Sequence, residues 1–370
     1  MFRLHAPSPS RLLPAACASL AAVLAALALT AAGAQAKVPR AFFGAEGDPR
    51  ATTNGLPTSQ ADFNRMRSAR LGTLRINFDW GSVEPTPGAP RDWSYYDTMV
   101  ERAARARVGI LAVLVGSPAF AADASAFAPL TAAGRASFNS FVRDVVRRYG
   151  RGGSFWSSHP GVPRRPIPAY QVWNEPNYPP HWSDGPSRAR DYASLLIPIA
   201  RTIRANDRRA SIGTAGLLAS STRGPSGYRY LDDLYRVKGI RRYFDAVAIH
   251  PYSEDAGGVR GELTRIRTVM RRHGDARTPV WITELGWGTG GGSEYFTTTP
   301  AGQAKRLSSA FRFVSRNRNR YRVSKLVWFS WRDRVGPSDR GWEFYCGLFR
   351  LNGEPKPAWA AFRRFTRATR

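Results

Sequence analysis

Two glutamates stand at the ends of short apolar runs, where a pair of carboxyl groups could do acid–base chemistry. The run 168–173 ends in Asn174-Glu175, and Pro176, which cannot donate to a strand ladder, follows. The run 279–283 ends in Glu284, and a glycine-rich loop follows. Cleavage of a glycosidic bond needs one carboxyl group to protonate the leaving oxygen and a second to attack or activate water at the anomeric carbon. The two glutamates could supply both groups.

Further polar and aromatic side chains fall at the ends of other apolar runs. Arg75 lies in the second run, His250 and Tyr252 close the sixth, and Trp331 follows the eighth. Together with Asn174 they are the kinds of side chain that hold a sugar, so we predict that all five bind substrate. No cofactor is predicted, and no metal, because the five histidines show no His-x-x-x-His spacing or comparable cluster.

Eight apolar runs alternate with helical patterns along the chain. The runs end near residues 44, 78, 115, 173, 215, 249, 283 and 330, and helices are predicted over 60–70, 95–107, 132–149, 187–205, 228–236, 259–273, 301–316 and 357–367. This order predicts an α/β fold, a single (β/α)8 TIM barrel over residues 37–370, whose strand ends share one face. Glu175 and Glu284 would then face each other at about 5 Å, the spacing of a retaining enzyme. An open doubly wound sheet is the alternative, although no Gly-x-Gly-x-x-Gly follows the first strand.

The first 36 residues have the pattern of a secretory signal peptide. Arg3 and Arg11 precede an apolar stretch, and the small-x-small site 34–36 predicts cleavage after Ala36 and a secreted protein. An uncleaved membrane anchor is the alternative. Removal of the signal would leave Cys346 as the single cysteine, which excludes an intrachain disulfide.

The chain is strongly basic, with a formal net charge of +28. Such a charge ordinarily suggests nucleic acid or an anionic polymer as partner. Only five of the 55 basic residues are lysines, which indicates codon bias from a GC-rich genome. We therefore expect no nucleic acid partner and no stable membrane insertion after cleavage, and keep weak attraction to anionic cell-wall polymers as a hypothesis.

The motifs 173–176 (Trp-Asn-Glu-Pro) and 282–286 (Ile-Thr-Glu-Leu-Gly) resemble the acid/base and nucleophile motifs of the clan A retaining glycoside hydrolases, especially the cellulase-like family 5 and family 39. The resemblance covers nearly all of the predicted mature chain, including the Arg75 run, the sequence 250–252 (His-Pro-Tyr) and the closing stretch 347–358. Residues 116–118 (Gly-Ser-Pro) stand where family 5 members often place a histidine, and the β-sandwich that often accompanies family 39 barrels is absent. Subfamily and substrate stay open.

The resemblance implies a role for each position. Glu175 would be the general acid and then base, with its pKa raised toward neutrality, and Glu284 the nucleophile. Asn174 would bind the sugar 2-hydroxyl, and Tyr252 would orient Glu284. Arg75 would keep Glu284 ionised.

Aromatic residues are expected to complete the sugar site. Trp331 would form its floor, and five further aromatic residues in loops after strand ends could stack on sugar rings: Trp80, Trp182, Trp287, Tyr295 and Trp342. The prediction is thus a secreted retaining glycosidase acting on a β-linked polysaccharide or oligosaccharide. A carbohydrate-binding or wall-associated barrel without catalysis is the alternative.

Overall fold

The computed structural model describes residues 1–2, 38–47, 59–183, 185, 188–219, 223–334 and 340–369. Apart from its first two residues, the predicted signal peptide lies outside these ranges. Residues Val38–Arg370 make up one compact unit. No helix within the described ranges has both the length and the apolar character needed to span a bilayer.

Within the described ranges, nine parallel strands form one sheet. In chain order, β1 to β9 are Phe43–Glu46, Thr73–Asp79, Gly109–Val115, Ala169–Val172, Ser211–Gly213, Leu217–Leu218, Val247–His250, Val280–Ile282 and Val323–Trp328. Their order across the sheet is β5-β4-β3-β2-β1-β9-β8-β7-β6. The strands consist mostly of buried aliphatic and aromatic residues, as expected for a parallel sheet covered on both faces.

The short strands β5 and β6 lie at opposite ends of this order and are separated in sequence by residues 214–216 alone. Isolated parallel bridges join Gly213 to Ala246 and Asn174 to Gly216, so each end of the sheet is linked to the other. The sheet is therefore curled into an α/β barrel-like fold. The carboxyl ends of its strands meet at one face.

Helices follow the strands in the alternation that the sequence predicts. Helices α1 to α10 are Gln60–Ser68, Trp80–Val83, Ser94–Ala106, Ala132–Tyr149, Ser154–Ser158, Ala189–Asn206, Gly227–Tyr235, Ala256–Arg272, Pro300–Tyr321 and Pro357–Arg367. Short 3-10 turns occupy Arg40–Phe42, Pro179–His181, Ile240–Tyr243 and Trp342–Tyr345.

Local sequence explains where several helices begin and which face they bury. Thr131 caps α4 by accepting a hydrogen bond from the Gly134 N–H, and Thr299 caps α9 just before Pro300, a residue favoured in the first turn. In α4, four side chains at helical spacing are fully buried against the sheet: Phe138, Phe141, Val142 and Val145. The apolar faces of the helices thus enclose the sheet, and its strand ends remain open for a site.

Candidate active site

The chain turns sharply where β4 ends. Trp173 and Glu175 have φ angles of 68° and 46°, the left-handed region that non-glycine residues rarely enter, at a cost of about 1–3 kcal/mol each. The Glu175 N–H donates to the Gly216 carbonyl at 3.0 Å, which holds this conformation in place. The turn directs both Asn174 and Glu175 to the cavity face, which an alternating strand could not do.

Two imidazoles bind the Glu175 carboxylate. His250 Nδ1 lies 2.6 Å from Oε1, and His181 Nδ1 lies 2.8 Å from Oε2. The other His250 nitrogen lies 3.0 Å from Thr283 Oγ1. His250 comes from the end of β7, as predicted. His181 comes from the 3-10 turn that follows Asn174-Glu175 in the chain, and the sequence reasoning did not single it out.

The Glu284 carboxylate is bound by different groups. Arg75 Nη2 lies 2.8 Å from Oε1, and the Tyr252 hydroxyl donates to Oε2 at 2.8 Å. His250 Nε2 is 3.4 Å from Oε1, so this imidazole lies between the two carboxylates. The structure therefore brings Arg75, Tyr252 and His250 together around Glu284.

Arg75 is the centre of this polar cluster. Its guanidinium forms a buried salt bridge with Glu46, the residue opposite it on β1, and donates to Asn174 Oδ1 at 2.7 Å. Burial lowers the pKa of Arg75, but the charges of Glu46 and Glu284 raise it by a larger amount. The net pKa is raised, so Arg75 stays a cation. Arg75 thereby fixes the positions of an amide and two carboxylates.

The two glutamates are close together. A carboxylate oxygen of Glu175, a carboxylate oxygen of Glu284 and a ring nitrogen of His250 all lie within 4.8 Å of one another. Among the described residues these are the groups near enough to hold a cation, but both His250 nitrogens already lie within hydrogen-bond distance of side-chain oxygens. The separation of the carboxylates matches the short spacing of retaining glycosidases, about 5–5.5 Å, and not the 6.5–9.5 Å of inverting ones.

The pKa of Glu175 differs from the expectation of a raised value. Burial raises the pKa, but hydrogen bonds from His181 and His250 lower it by a larger amount, so the net pKa lies well below that of an ordinary glutamate. The pKa of Tyr252 is raised well above its usual value, first by burial and then by the charge of Glu284. A neutral tyrosine hydroxyl can donate to Glu284, whereas an ionised Glu175 has to receive a proton before it can act as an acid.

A cavity of about 960 Å³ opens above these groups, within the range typical of ligand sites. Its wall includes Glu46, Asn174, Glu175, Tyr252 and Glu284. The loops that follow the strands add Tyr178, His181, Phe296, Phe329, Trp342 and Glu343. The cavity thus has carboxylates at its base and aromatic rings around its sides.

Trp331 does not line the cavity, which corrects its predicted place under the sugar. Its ring lies in the core, 5.0 Å from the Phe349 ring and 5.3 Å from the Trp359 ring. The strand β9 ends at Trp328, so strand alternation no longer determines the direction of later side chains. Phe329 lines the cavity instead.

The five loop aromatic residues that were predicted to stack on sugar rings also differ in whether they reach the cavity. Trp80, Trp182 and Trp287 are fully buried, so the prediction that they stack on sugar rings is wrong. Tyr295 is exposed and is not part of the cavity wall. Trp342 does line the cavity, 4.7 Å from the Phe296 ring and 5.1 Å from the Tyr252 ring.

Two cavity groups, Glu46 and His181, were missed for identifiable reasons. The first strand was predicted to end at Gly44, but it continues to Glu46, and a carboxylate two residues beyond the predicted end was the available signal. His181 lies in a loop, where no periodic pattern predicts side-chain direction. Its position six residues after Glu175 gave no indication of contact.

A parallel barrel-like sheet with two close carboxylates at its strand ends is the architecture of the barrel glycoside hydrolases. Residues 161–357, more than half of the chain, match the family model described as the glycosyl hydrolase catalytic core. The chain belongs to this family. No curated protein matches the sequence.

Solved structures share the fold at low sequence identity. A family 39 glycoside hydrolase from Bacteroides cellulosilyticus WH2 has a TM-score of 0.66 at 18% identity, with 89% of this chain and 64% of that chain covered. A GH39 β-xylosidase from Caulobacter crescentus has a TM-score of 0.62 at 20% identity, covering 88% and 71%. A GH5_18 protein from Bifidobacterium longum subsp. infantis has a TM-score of 0.65 at 13% identity, covering 90% and 79%. This chain thus spans less than two thirds of the first of these proteins.

Proposed function

We propose that this protein is a glycosidase that cleaves O-glycosidic bonds with retention of configuration, with Glu284 as the nucleophile and Glu175 as the general acid and base. The observation that carries the proposal is the approach of the two carboxylates to within 4.8 Å. This separation leaves room for an anomeric carbon between them but not for an additional water. Attack by Glu284 would form a glycosyl-enzyme, and water activated by Glu175 would then hydrolyse it.

The contacts of Glu284 favour its role as nucleophile over Glu175. Glu284 forms a salt bridge with a buried guanidinium and accepts a hydrogen bond from a tyrosine hydroxyl, and these contacts fix its orientation. Glu175 instead contacts two imidazoles, whose ring nitrogens can donate or accept a hydrogen bond. Asn174, held by Arg75 at 2.7 Å, is placed to bind a sugar hydroxyl next to the reacting carbon.

The proposed substrate is a β-linked oligosaccharide or polysaccharide, and the proposed location is outside the cell. The aromatic side walls of the cavity, Trp342 with Phe296 and Phe329, suit the apolar faces of pyranose rings. The β-xylosidase of Caulobacter crescentus makes xylosides the first substrates to try.

The signal-peptide pattern of residues 1–36 supports secretion. We also interpret β5 and β6 as two segments of one fifth strand, which gives an eight-stranded (β/α)8 barrel.

The test combines a substrate panel with a nucleophile variant. The purified protein is assayed against aryl β-glycosides and dyed polysaccharides, and proton NMR records the anomer that is released first. We expect retention, and a loss of turnover by Glu284→Ala of about 10³-fold or more, since the variant lacks the attacking group. Glu101→Ala, an exposed glutamate on α3, is the matched control and should keep full activity.

Three results would contradict the proposal. Undiminished turnover by Glu284→Ala would exclude this residue as nucleophile. Release of the inverted anomer would exclude the double displacement. Retention of polysaccharide without hydrolysis, unchanged when both glutamates become glutamine, would favour a binding protein.

A further inference from the structure

Both oxygens of the Glu175 carboxylate are occupied by imidazoles. A leaving group that receives a proton from Glu175 must approach one of these oxygens at its second lone pair, next to the bound imidazole, so the more mobile imidazole is the one that a substrate can displace. His250 is fully buried and is held at its other nitrogen by Thr283, 3.0 Å away. His181, on Oε2, is therefore the one that can give way.

The surroundings of His181 permit such a movement. Its backbone is held, because the Trp173 indole N–H donates to the His181 carbonyl at 2.9 Å and two prolines precede it. Its side chain is 42% exposed, and the Tyr178 ring packs edge-on against it at 5.0 Å. The imidazole can thus rotate toward solvent while the chain around it stays in place.

Three carboxylates face His181 from different parts of the fold. Glu175 follows β4, Glu284 follows β8, and Glu343 lies in the 3-10 turn Trp342–Tyr345. Burial lowers the pKa of His181. Glu175 raises it by a hydrogen bond and by its charge, and the charges of Glu284 and Glu343 add to this effect, so the net pKa is raised. The titratable side chain of Tyr178 also packs against the ring. His181 is therefore surrounded by negative charge that favours the imidazolium.

We propose that His181 stores the proton that Glu175 delivers to the leaving group. This inference rests on the proposed role of Glu175 as acid and base. In the resting site the pair holds one proton, as imidazolium at His181 and carboxylate at Glu175. When a substrate displaces the ring, the Nδ1–H bond breaks, an O–H bond forms at Oε2, and neutral imidazole turns away.

The proton then follows the reaction through both steps. As Glu284 attacks the anomeric carbon, the bond to the leaving oxygen breaks and that oxygen takes the proton from Oε2. In the second step Glu175 removes a proton from the attacking water while the bond to Glu284 breaks. His181 recovers this proton from Oε2 when product leaves. His181 is a positioning and proton-storing residue that does not itself touch the reacting carbon.

The proposal predicts a specific change in the pH dependence of kcat/KM. In the wild type the alkaline limb reports loss of the proton held by the pair, and such coupled groups titrate together. In His181→Gln the amide can still donate to Oε2 but cannot store a proton, so the limb should reflect Glu175 without the proton of His181, with His250 still on Oε1. Because the pKa of His181 is raised and that of Glu175 is lowered, loss of the histidine should move this limb to lower pH.

The experiment compares two leaving groups on one sugar, the sugar that reacts fastest in the panel. At pH 7 we expect His181→Gln to lose at least about tenfold in kcat/KM on the phenyl glycoside, since less of the general acid carries its proton and general acid catalysis contributes about 10²- to 10⁴-fold. On the 2,4-dinitrophenyl glycoside, whose departure needs no proton, the change should stay below about threefold. His273→Gln is the matched control, because His273 also pairs with a carboxylate, Asp232 at 2.9 Å, but lies outside the cavity wall.

An alkaline limb that stays in place or moves to higher pH would overturn the proposal. Equal losses on both substrates would also overturn it, since they would indicate a purely structural role. His181→Phe, which keeps a ring in the same place, should show the same downward movement of the limb. Failure of the proposed function would look different, as an inactive wild type or an active Glu284→Ala variant.

Discussion

Replacement of Arg75 by methionine is the most direct test of how the site is held together. Methionine keeps much of the length of the side chain but removes the guanidinium. Glu46 and Glu284 would then lose the cation that they share, and the Asn174 amide oxygen would lose its donor at 2.7 Å. The Arg75 side chain is 1% exposed and those of the two glutamates are 5% and 8% exposed, so water cannot readily replace the lost contacts.

The expected cost follows from this burial. Removal of one partner from a buried ion pair typically destabilises a protein by about 3–5 kcal/mol, because a charge is left without compensation. Arg75→Met leaves two such charges, so we expect a loss at the upper end, about 5 kcal/mol. Exposed pairs behave differently, and Arg105→Met, which breaks a surface pair with Glu101, should cost less than about 1 kcal/mol.

The measurement is the free energy of unfolding in urea at pH 7, followed by tryptophan fluorescence. The double variant Glu46→Gln/Arg75→Met removes one of the two uncompensated charges and should recover about 1–3 kcal/mol, the usual penalty of an unsatisfied buried group. A loss below about 1 kcal/mol for Arg75→Met, the level of an exposed pair, would refute the reasoning. A double variant less stable than Arg75→Met would refute it as well.

Two further predictions concern a buried cap and a close contact. Asp62 accepts hydrogen bonds from the Ser59 N–H at 3.1 Å and from Arg332 at 2.9 Å. Burial raises the pKa of Asp62, but its hydrogen-bond partners and Arg332 have the larger, opposite effect, and the net pKa is lowered. The stability that Asp62 contributes is therefore present above about pH 4 and is lost as pH falls through the lowered pKa. Asp62→Asn should therefore cost about 2 kcal/mol at pH 7 and much less at pH 3 in urea unfolding, and equal costs at both would contradict this. A Cβ at Gly216 would lie 2.0 Å from His250 Nε2, so Gly216→Ala should displace this ring and lower kcat by at least about tenfold, or about 1.4 kcal/mol. Gly152→Ala is the control, because a Cβ at Gly152 meets nothing within 4 Å. An unchanged kcat in Gly216→Ala would contradict the contact.

The order of strands and helices could be predicted because it depends on local patterns. Apolar runs bounded by glycine and proline coincide with the strands to within a few residues, and the predicted helices 132–149 and 357–367 match α4 and α10 at both ends. The structure departs from the predicted eight strands near residue 215, because β5 ends at Gly213 and a further short strand, β6, follows at Leu217–Leu218. A run of apolar letters does not show where ladder hydrogen bonds are interrupted.

The convergence of Glu175, Glu284, Arg75, His250 and Tyr252 was also predictable. Each ends or follows a parallel strand, and parallel strands present their carboxyl ends at one face. The family motifs around the two glutamates strengthened this expectation. Proximity at that face was therefore determined by position in the sequence.

Only the tertiary structure decided which groups contact which, and which aromatic rings reach the cavity. The pKa of Glu175 is lowered because His181 comes within 2.8 Å of it through a loop. Trp331 lies in the core because Phe349 and Trp359 pack against it from the closing segment of the chain. The periodicity of a strand or helix is a local property that the sequence carries, whereas loop paths and aromatic packing depend on contacts between distant residues.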